Sequence, residues 1–527
     1  MDVSLTLAGW DARTKAATPA ISLTPEVLEK AASTIASGPD APPQNKSRNE
    51  IGTVRGASRS PMARGSRVPQ RYRPPGALNT DEPSATRSPQ LSRSRGPGSG
   101  ISVARNDRGP VSDPLDPRVA KWAIVVLDED LALAKSALAD LLQHRINAGV
   151  AFDKHEVNGG EKGLICMPRL KTDKPERWIE RALDVAGGQL PSYLLFVGGP
   201  DRFPFDVVER FDWEYATGRL DLGDTPDGPF SWDACAAYAK RVVEFETGHL
   251  PVKPQALFYA FGTERATQRS RDELILPVCA RLEKGIVRWP GVGAVSTTKL
   301  MDGDATTQNL LRTLAKERPA VVFTATHGLE FPKNRADWGA LTDQSFVDGG
   351  DGLALSAASA LTAGQGPFAP GAVMFSFACY SGGVPAKSAI TFLAEERNVD
   401  IPGGPFVPAL PRALLASKDG PIAFVGHVDR TTSESFDWLD KGPAAFFDFL
   451  EWTCGGNGTL GQAMRSLRES ADLASRTLAD ALTPALGKPR GTPERIVRAW
   501  IRYHDMRGYH LLGDPFLAPR SGLLAGR

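Results

Sequence analysis

The chain reads as an α/β protein built from two units, each on a mostly parallel sheet, with a disordered N-terminal arm in front. Three observations carry this reading. Short apolar runs of strand length alternate with longer amphipathic segments of helical period, the pattern of a parallel sheet covered on both faces. The alternation runs through residues 116–250 and starts again through 251–520, and a chain of 527 residues is too long for a single hydrophobic core. Residues 1–115 show neither the runs nor the period.

The elements follow in order. In the first unit "WAIVVLD" is a buried strand, and "EDLALAKSALADLLQHRINAG" is an amphipathic helix stopped by Gly149. "VAFDKHEV" is expected as the second strand, "KPERWIERALDVAGG" as a helix, and "SYLLFVGGP" as a strand ending in glycines. "SWDACAAYAKRVVEFETG" is a helix with Ser231 at its N-cap. The second unit continues with the strand "QALFYAFG", the helix "RSRDELILPVCARLEKG" and the strand "AVSTTKL". The helix "ATTQNLLRTLAKERP" leads to the strand "AVVFTATHG". After a polar stretch come the strand "AVMFSFACYSGG", the helix "FVPALPRALLAS" and the strand "PIAFVGHVD". Two helical segments, "TLGQAMRSLRESADLASRTLADAL" and "TPERIVRAWIRYHDMRG", precede the closing "YHLLGDPFLAP". No solenoid period is present.

The arm differs in kind. From Pro43 to Pro110 it is Arg, Ser, Pro and Gly, too poor in aliphatic residues to offset the entropy of ordering. Between Lys46 and Arg108 there are 13 Lys or Arg against 4 Asp or Glu. Only Thr24–Gly38 reads as a short helix, with Thr24 as N-cap and Pro25 in its first turn. A solvated tail is the preferred reading, and a docking or nucleic-acid arm the next.

Composition narrows the function. Net charge is +1, so the molecule as a whole is not a polyanion binder, and nucleic acid is not expected as a partner. No apolar run nears the ~18 residues of a membrane span. The start "MDVSLTLAGWDARTK" lacks the basic, then apolar, pattern of a signal peptide. Five cysteines, at 166, 235, 279, 379 and 454, form no CxxC pair. An odd, scattered set argues against a disulfide framework and a zinc site, and points to a reducing, cytoplasmic setting. No cofactor or metal is expected.

The chemistry concentrates at two strand ends. "AVVFTATHG" puts His327 and Gly328 at its C-terminal end, and "AVMFSFACYSGG" puts Cys379 at its own. Loops at the carboxyl edge of a parallel sheet converge on a crevice, so neighbouring strands would bring imidazole and thiol together. A free thiol, with a pKa of about 8.5, needs a base to become a nucleophile at neutral pH. The oxyanion formed on attack needs preorganised donors, for which the backbone N–H groups of Gly328 and Cys379 are candidates. Gly328 is expected to leave room for a substrate carbonyl, and Ser381, Gly382 and Gly383 to turn the thiol out of the sheet. The separation of His327 and Cys379, 52 residues, matches the ~50 residues between the paired His and Cys of caspases. The other four cysteines read as core: Cys235 and Cys279 in helices, Cys166 in a connecting segment, Cys454 before a turn.

At these residues the chain resembles the caspase-like (clan CD) cysteine peptidases, and more narrowly the gingipain-type catalytic domain. "VVFTATHG" and "FSFACYSGG" resemble that family's histidine and nucleophile strands. "PSYLLFVGGPDRFP", "TGRLDLGDTPDGPFSWDACAAYAKRVVEFE" and "YHLLGDPFLAP" resemble further phrases in the same order, so the likeness extends over roughly residues 119–519. The resemblance implies two side-by-side caspase-like, Rossmann-like subdomains, the second carrying a dyad that falls on His327 and Cys379. Gingipains are exported, and this chain shows neither an export signal nor a terminal adhesin module. The related CHAT-type peptidases are intracellular, and many of them are regulated effectors.

The resemblance also implies that the residue two before the nucleophile, Phe377, helps line the substrate pocket. In the family an acid there accompanies basic specificity, so the Phe departs from that pattern. Asp337, Asp343, Asp348 and Asp351 are candidate pocket acids from a loop. "GHVDRTT" follows the next strand, and His427, Asp429 and Arg430 are expected to face the same crevice and contact substrate; His427 is also a rival base, with lining a pocket or simply being hydrogen-bonded there as its preferred readings. The leading expectation is a cytoplasmic, regulated cysteine endopeptidase acting on protein or peptide through an acyl-enzyme. The alternative is a catalytically silent caspase-like scaffold that binds a protein partner through the arm. A nucleotide-binding Rossmann protein is poorly supported, because neither GxGxxG after the first strand nor a P-loop is present.

Overall fold

Ten strands form one continuous sheet in the computed structural model. The structure describes residues 115–519 except 154–161, 173, 224–228, 251, 263–264, 290–292, 329–345, 348–353, 356–368, 390–404, 438–442, 456–457, 483, 486–487 and 490–491, together with residues 10, 11, 16 and 17. The arm expected over 1–115, with its helix at Thr24–Gly38, lies outside the described residues apart from those four and Leu115. So do Asp337, Asp343, Asp348 and Asp351.

In chain order the strands are β1 (Trp122–Leu127), β2 (Leu164–Met167), β3 (Tyr193–Val197), β4 (Ala216–Leu220), β5 (Lys253–Ala260), β6 (Ser296–Met301), β7 (Pro319–Ala325), β8 (Val373–Phe377), β9 (Ala423–His427) and β10 (Tyr509–Leu512). Their order across the sheet is β6-β5-β7-β8-β9-β10-β4-β3-β1-β2. Strands from 116–250 thus fill one end of the sheet and strands from 251–520 the other. Every residue of β1, β3, β7, β8 and β9 is buried, which is why these segments read as unbroken apolar runs rather than alternating ones.

All neighbours pair in parallel except β9 with β10. That single antiparallel joint reverses the sense of the sheet. β5–β9 end at one edge, and β1–β4 with β10 end at the opposite edge. The seam between the two ends is the pairing of Leu512 with Arg219. It closes because Gly218 has no side chain: a Cβ there would overlap the Gly513 carbonyl oxygen and lie 2.8 Å from Pro515 Cδ.

Three further elements position the seam and the site: helices α1 (Ala139–Asn147), α2 (Trp232–Glu246) and α3 (Pro493–Arg507). Ser231 caps α2, its hydroxyl accepting from Ala234 N at 3.2 Å, as the sequence indicates. Arg145 of α1 is buried between two carboxylates, Glu246 Oε2 at 2.6 Å and Asp514 Oδ2 at 2.7 Å. Asp514 also accepts from Trp122 Nε1 at 2.9 Å. Burial opposes ionisation of Glu246, but the Arg145 charge and the hydrogen bonds of His144 and Arg145 outweigh it and bring its pKa down to about 2. The closing "LLGDP" phrase is thereby fastened to β1, α1 and α2.

Two strand assignments differ from the sequence reading. The second strand is Leu164–Met167, and among the described residues of "VAFDKHEV" Ala151 makes an isolated bridge to Trp122. Asp153 is exposed, whereas "LICM" is almost wholly buried. Cys166 accordingly sits in β2 rather than in a connection. β4, "ATGRL", escaped notice because it contains Gly218 and the buried Arg219, whose Nη atoms donate to Gly198 O at 2.9 Å and Phe203 O at 2.6 Å. Among the described residues no helix is long and apolar enough to cross a membrane.

Candidate active site

The site begins with register. β7 lies directly beside β8, with Ala325 opposite Phe377. Thr326 N extends the ladder to Phe377 O at 3.0 Å. His327 and Cys379, each two residues beyond the last paired position, follow at the same carboxyl edge, both half-buried. His327–Gly328 then turns into a small antiparallel sheet with Phe346–Val347, which pairs in turn with Ala354–Leu355.

Gly328 packs on the Cys379 backbone itself. A Cβ on Gly328 would overlap the Cys379 carbonyl oxygen and lie 2.7 Å from the carbonyl carbon and 3.0 Å from the amide nitrogen. The room left by the missing Gly328 side chain is taken by the Cys379 backbone.

Beyond Cys379 the chain turns sharply. Tyr380 adopts φ +58°, and Asp429 across from it φ +86°. These left-handed non-glycine residues are joined by a hydrogen bond from Tyr380 N to Asp429 O of 2.7 Å. Each such conformation costs on the order of 1 kcal/mol, and such residues cluster at functional sites. The turn is fastened to β9 throughout. Gly382 N donates to His427 O at 3.0 Å, Asp429 N to Gly383 O at 3.2 Å, and His427 N to Ser381 Oγ at 3.0 Å. The approach requires two bare glycines: a Cβ on Gly382 would lie 2.5 Å from Gly426 C, and one on Gly426 2.6 Å from Gly382 N.

The residues proposed from sequence to contact substrate take different places. Phe377 is buried, its ring packed on Phe436, Phe446 and Tyr509 at centroid distances of 5.6, 6.0 and 6.5 Å. It belongs to the aromatic core rather than to a pocket wall. His427 is only 1% exposed, so the expectation that it faces the crevice does not hold. Its Nδ1 lies 3.0 Å from Asp429 O and its Nε2 2.9 Å from Asp505 O. Both partners are carbonyl oxygens, so both ring nitrogens donate and the ring is an imidazolium. Burial disfavours that charge, but the hydrogen bond and charge of Asp505, whose Oδ1 is 3.3 Å away, raise the pKa above its ordinary value. A ring so engaged is no rival base.

Asp429 is also buried: Oδ1 accepts from Arg430 N at 2.8 Å and Oδ2 from Ala389 N at 2.7 Å. Of this set only Arg430 is half-exposed, with Nε donating to Tyr380 Oη at 3.1 Å.

Sequence reasoning missed Thr431, Thr432 and Asp505. The Cys379 thiol donates to Thr431 O at 3.6 Å. Asp505 of α3, 1% exposed, accepts from Thr431 Oγ1 at 2.8 Å through Oδ1, and from Thr432 N at 2.8 Å and Thr432 Oγ1 at 2.6 Å through Oδ2. Nothing in the sequence links a carboxylate in a C-terminal amphipathic helix to a loop more than 70 residues earlier.

No disulfide joins the five cysteines; Cys235, Cys279 and Cys454 are buried, and burial pushes the Cys279 thiol up to about 11 and that of Cys454 to about 12. Among the described residues no group of three His, Cys, Asp or Glu side chains is placed to hold a metal. A cavity of about 540 Å³ opens beside the starts of β1 and β3, lined by Lys121, Gly149, Asp153, Lys162 and Ser192 among others, and it shares no lining residue with the Cys379 site. No family model matches the chain, and no curated protein does.

Proposed function

We propose that the protein is a cysteine endopeptidase of caspase-like, gingipain- or CHAT-related type, regulated and cytoplasmic, with Cys379 as nucleophile and His327 as base. The single observation that carries the reading is the register of β7 on β8, with His327 and Cys379 following at the same carboxyl edge. The strained Tyr380–Asp429 pair beside the thiol supports it. Five cysteines joined by no disulfide suit a reducing compartment.

In the proposed reaction His327 takes the thiol proton as sulfur attacks the carbonyl carbon of the scissile bond. The oxyanion is held by backbone N–H groups, with those of Gly328 and Cys379 as candidates. The carbon–nitrogen bond then breaks, and His327 returns the proton to the departing amine. Water, deprotonated by the same imidazole, attacks the thioester, releases the carboxylate and restores the thiol. No metal or cofactor takes part. The basic arm is proposed to hold an acidic protein partner.

The test is cleavage of a peptide library by the full chain. Cys379→Ala should abolish turnover and leave the thermal transition in place. His327→Ala should lower kcat far more than it raises KM. Equal turnover by wild type and Cys379→Ala would refute the proposal.

A further inference from the structure

The Cys379 sulfur is aimed at an oxygen. A carbonyl that accepts from a thiol stabilises the protonated sulfur, because the same oxygen would present its negative end to a thiolate. The carbonyl is that of Thr431, and Thr431 is fixed from behind by its hydroxyl. Thr431 Oγ1 donates to Asp505 Oδ1 at 2.8 Å and lies 3.0 Å from Tyr509 Oη. Thr432 adds two donors to the other carboxylate oxygen. One buried carboxylate on α3 thus gathers three donors from two consecutive residues and sets where the Thr431 carbonyl points.

We propose that Asp505 is a positioning residue that holds Thr431 as a catch on the nucleophile, keeping Cys379 protonated and turned toward the loop after β9 in the resting molecule. Engagement of the thiol then requires residues 431–432 to shift off the sulfur. The inference concerns the same sulfur as the proposed peptidase, but its test needs no peptidase activity.

Among the described residues, the ionisable groups near the sulfur come from several elements. Tyr380 and Tyr509 of β10 interact with it electrostatically, His327 follows β7, Asp429 and Arg430 follow β9, and His427 and Asp505 stand behind the loop. Replacing Asp505 removes a charge as well as a clamp, so the deciding variants keep the charge. Thr431→Val removes the Oγ1 donor and keeps the carbonyl. Thr432→Val removes one donor to Asp505 Oδ2 and keeps the backbone N–H.

The measurement is the rate of Cys379 alkylation by iodoacetamide in the full chain across a pH series, read by peptide mass spectrometry. Both valine variants should alkylate about three- to tenfold faster at pH 7, with the midpoint of the pH–rate profile lowered by about half to one unit. Asp505→Asn should shift it further in the same direction. A faster rate at an unchanged midpoint would mean that the loop only shields the sulfur, and would overturn the catch. An unchanged profile, or a midpoint that rises, would overturn it too. A shift in Asp505→Asn alone would assign the effect to charge and equally overturn it. If Asp505→Asn fails to fold, the valine variants decide. Absence of peptide cleavage by all these chains, with the shift present, would refute the peptidase reading and leave this one standing.

Discussion

Gly328 lies against the backbone of Cys379 so closely that no other residue fits between them. The contact ties the two candidate catalytic positions through main chain rather than side chain. Gly328→Ala should therefore displace His327 from Cys379, at a cost of about 1–3 kcal/mol, the range for overpacking. Peptide cleavage should fall by more than tenfold. Gly303→Ala, where an added Cβ meets nothing within 4 Å, is the control and should change neither quantity.

Thiol chemistry should spare the buried cysteines. Cys279 and Cys454 are held protonated by burial at neutral pH. Limited alkylation at pH 7.5 should label Cys379 ahead of both, and tryptic mapping will reveal the order. Prior labelling of Cys454 in the folded chain would mean that the core opens more readily than its packing implies.

The imidazolium of His427 gives stability a definite pH dependence. Its folded pKa is raised, so the contribution is complete below the ordinary histidine range and is lost as pH rises through the folded value. Chemical denaturation of wild type and His427→Gln should show the greatest wild-type advantage at the acid end of a pH 5–9 series. An advantage that grows with pH would mean the ring is neutral in the fold. Gly508→Ala should mimic the loss, because an added Cβ would overlap His427 Nε2.

The Arg145 clamp should be expensive to break. Asp514→Ala or Glu246→Ala leaves a buried guanidinium short of a partner, and each should cost about 3–5 kcal/mol by urea unfolding. The Glu246 contribution has the opposite pH sense to that of His427. Its folded pKa is depressed to about 2, so its stabilisation is present above the unfolded carboxylate value and disappears as pH falls toward 2.

The strands that read most easily from the sequence are those with both faces buried, since their apolar runs need no partner to be recognised. β7, β8 and β9 are of this kind, and they bring His327 and Cys379 to one edge. β4 was hidden because glycine and a buried arginine replace the apolar pattern, and both make sense only against the Gly513 backbone and the Gly198 and Phe203 carbonyls. His427 looked like a crevice residue because it ends a strand just as His327 does. What separates them is Asp505, supplied by a helix 78 residues later. Local sequence carries the geometry of a strand end, but not the partner that a distant helix brings to it.

The antiparallel joint at β10 has a bearing on how the protein is made. β10 is the last of the ten strands in the chain, yet it is the sixth across the sheet and the one element joining its two ends. On the ribosome, β1–β4 and β5–β9 can each gather as they emerge, and Tyr238 and Arg241 can already dock on residues 415–422, but the ladder between β4 and β9 stays open until residues 509–512 arrive. The same late segment brings Asp505 to Thr431 and the Gly508 carbonyl to Val428 N at 2.7 Å. A nascent or prematurely terminated chain would hold its histidine and cysteine on neighbouring strands without the support behind them. Translation through the final helix and strand thus times the maturation of the site.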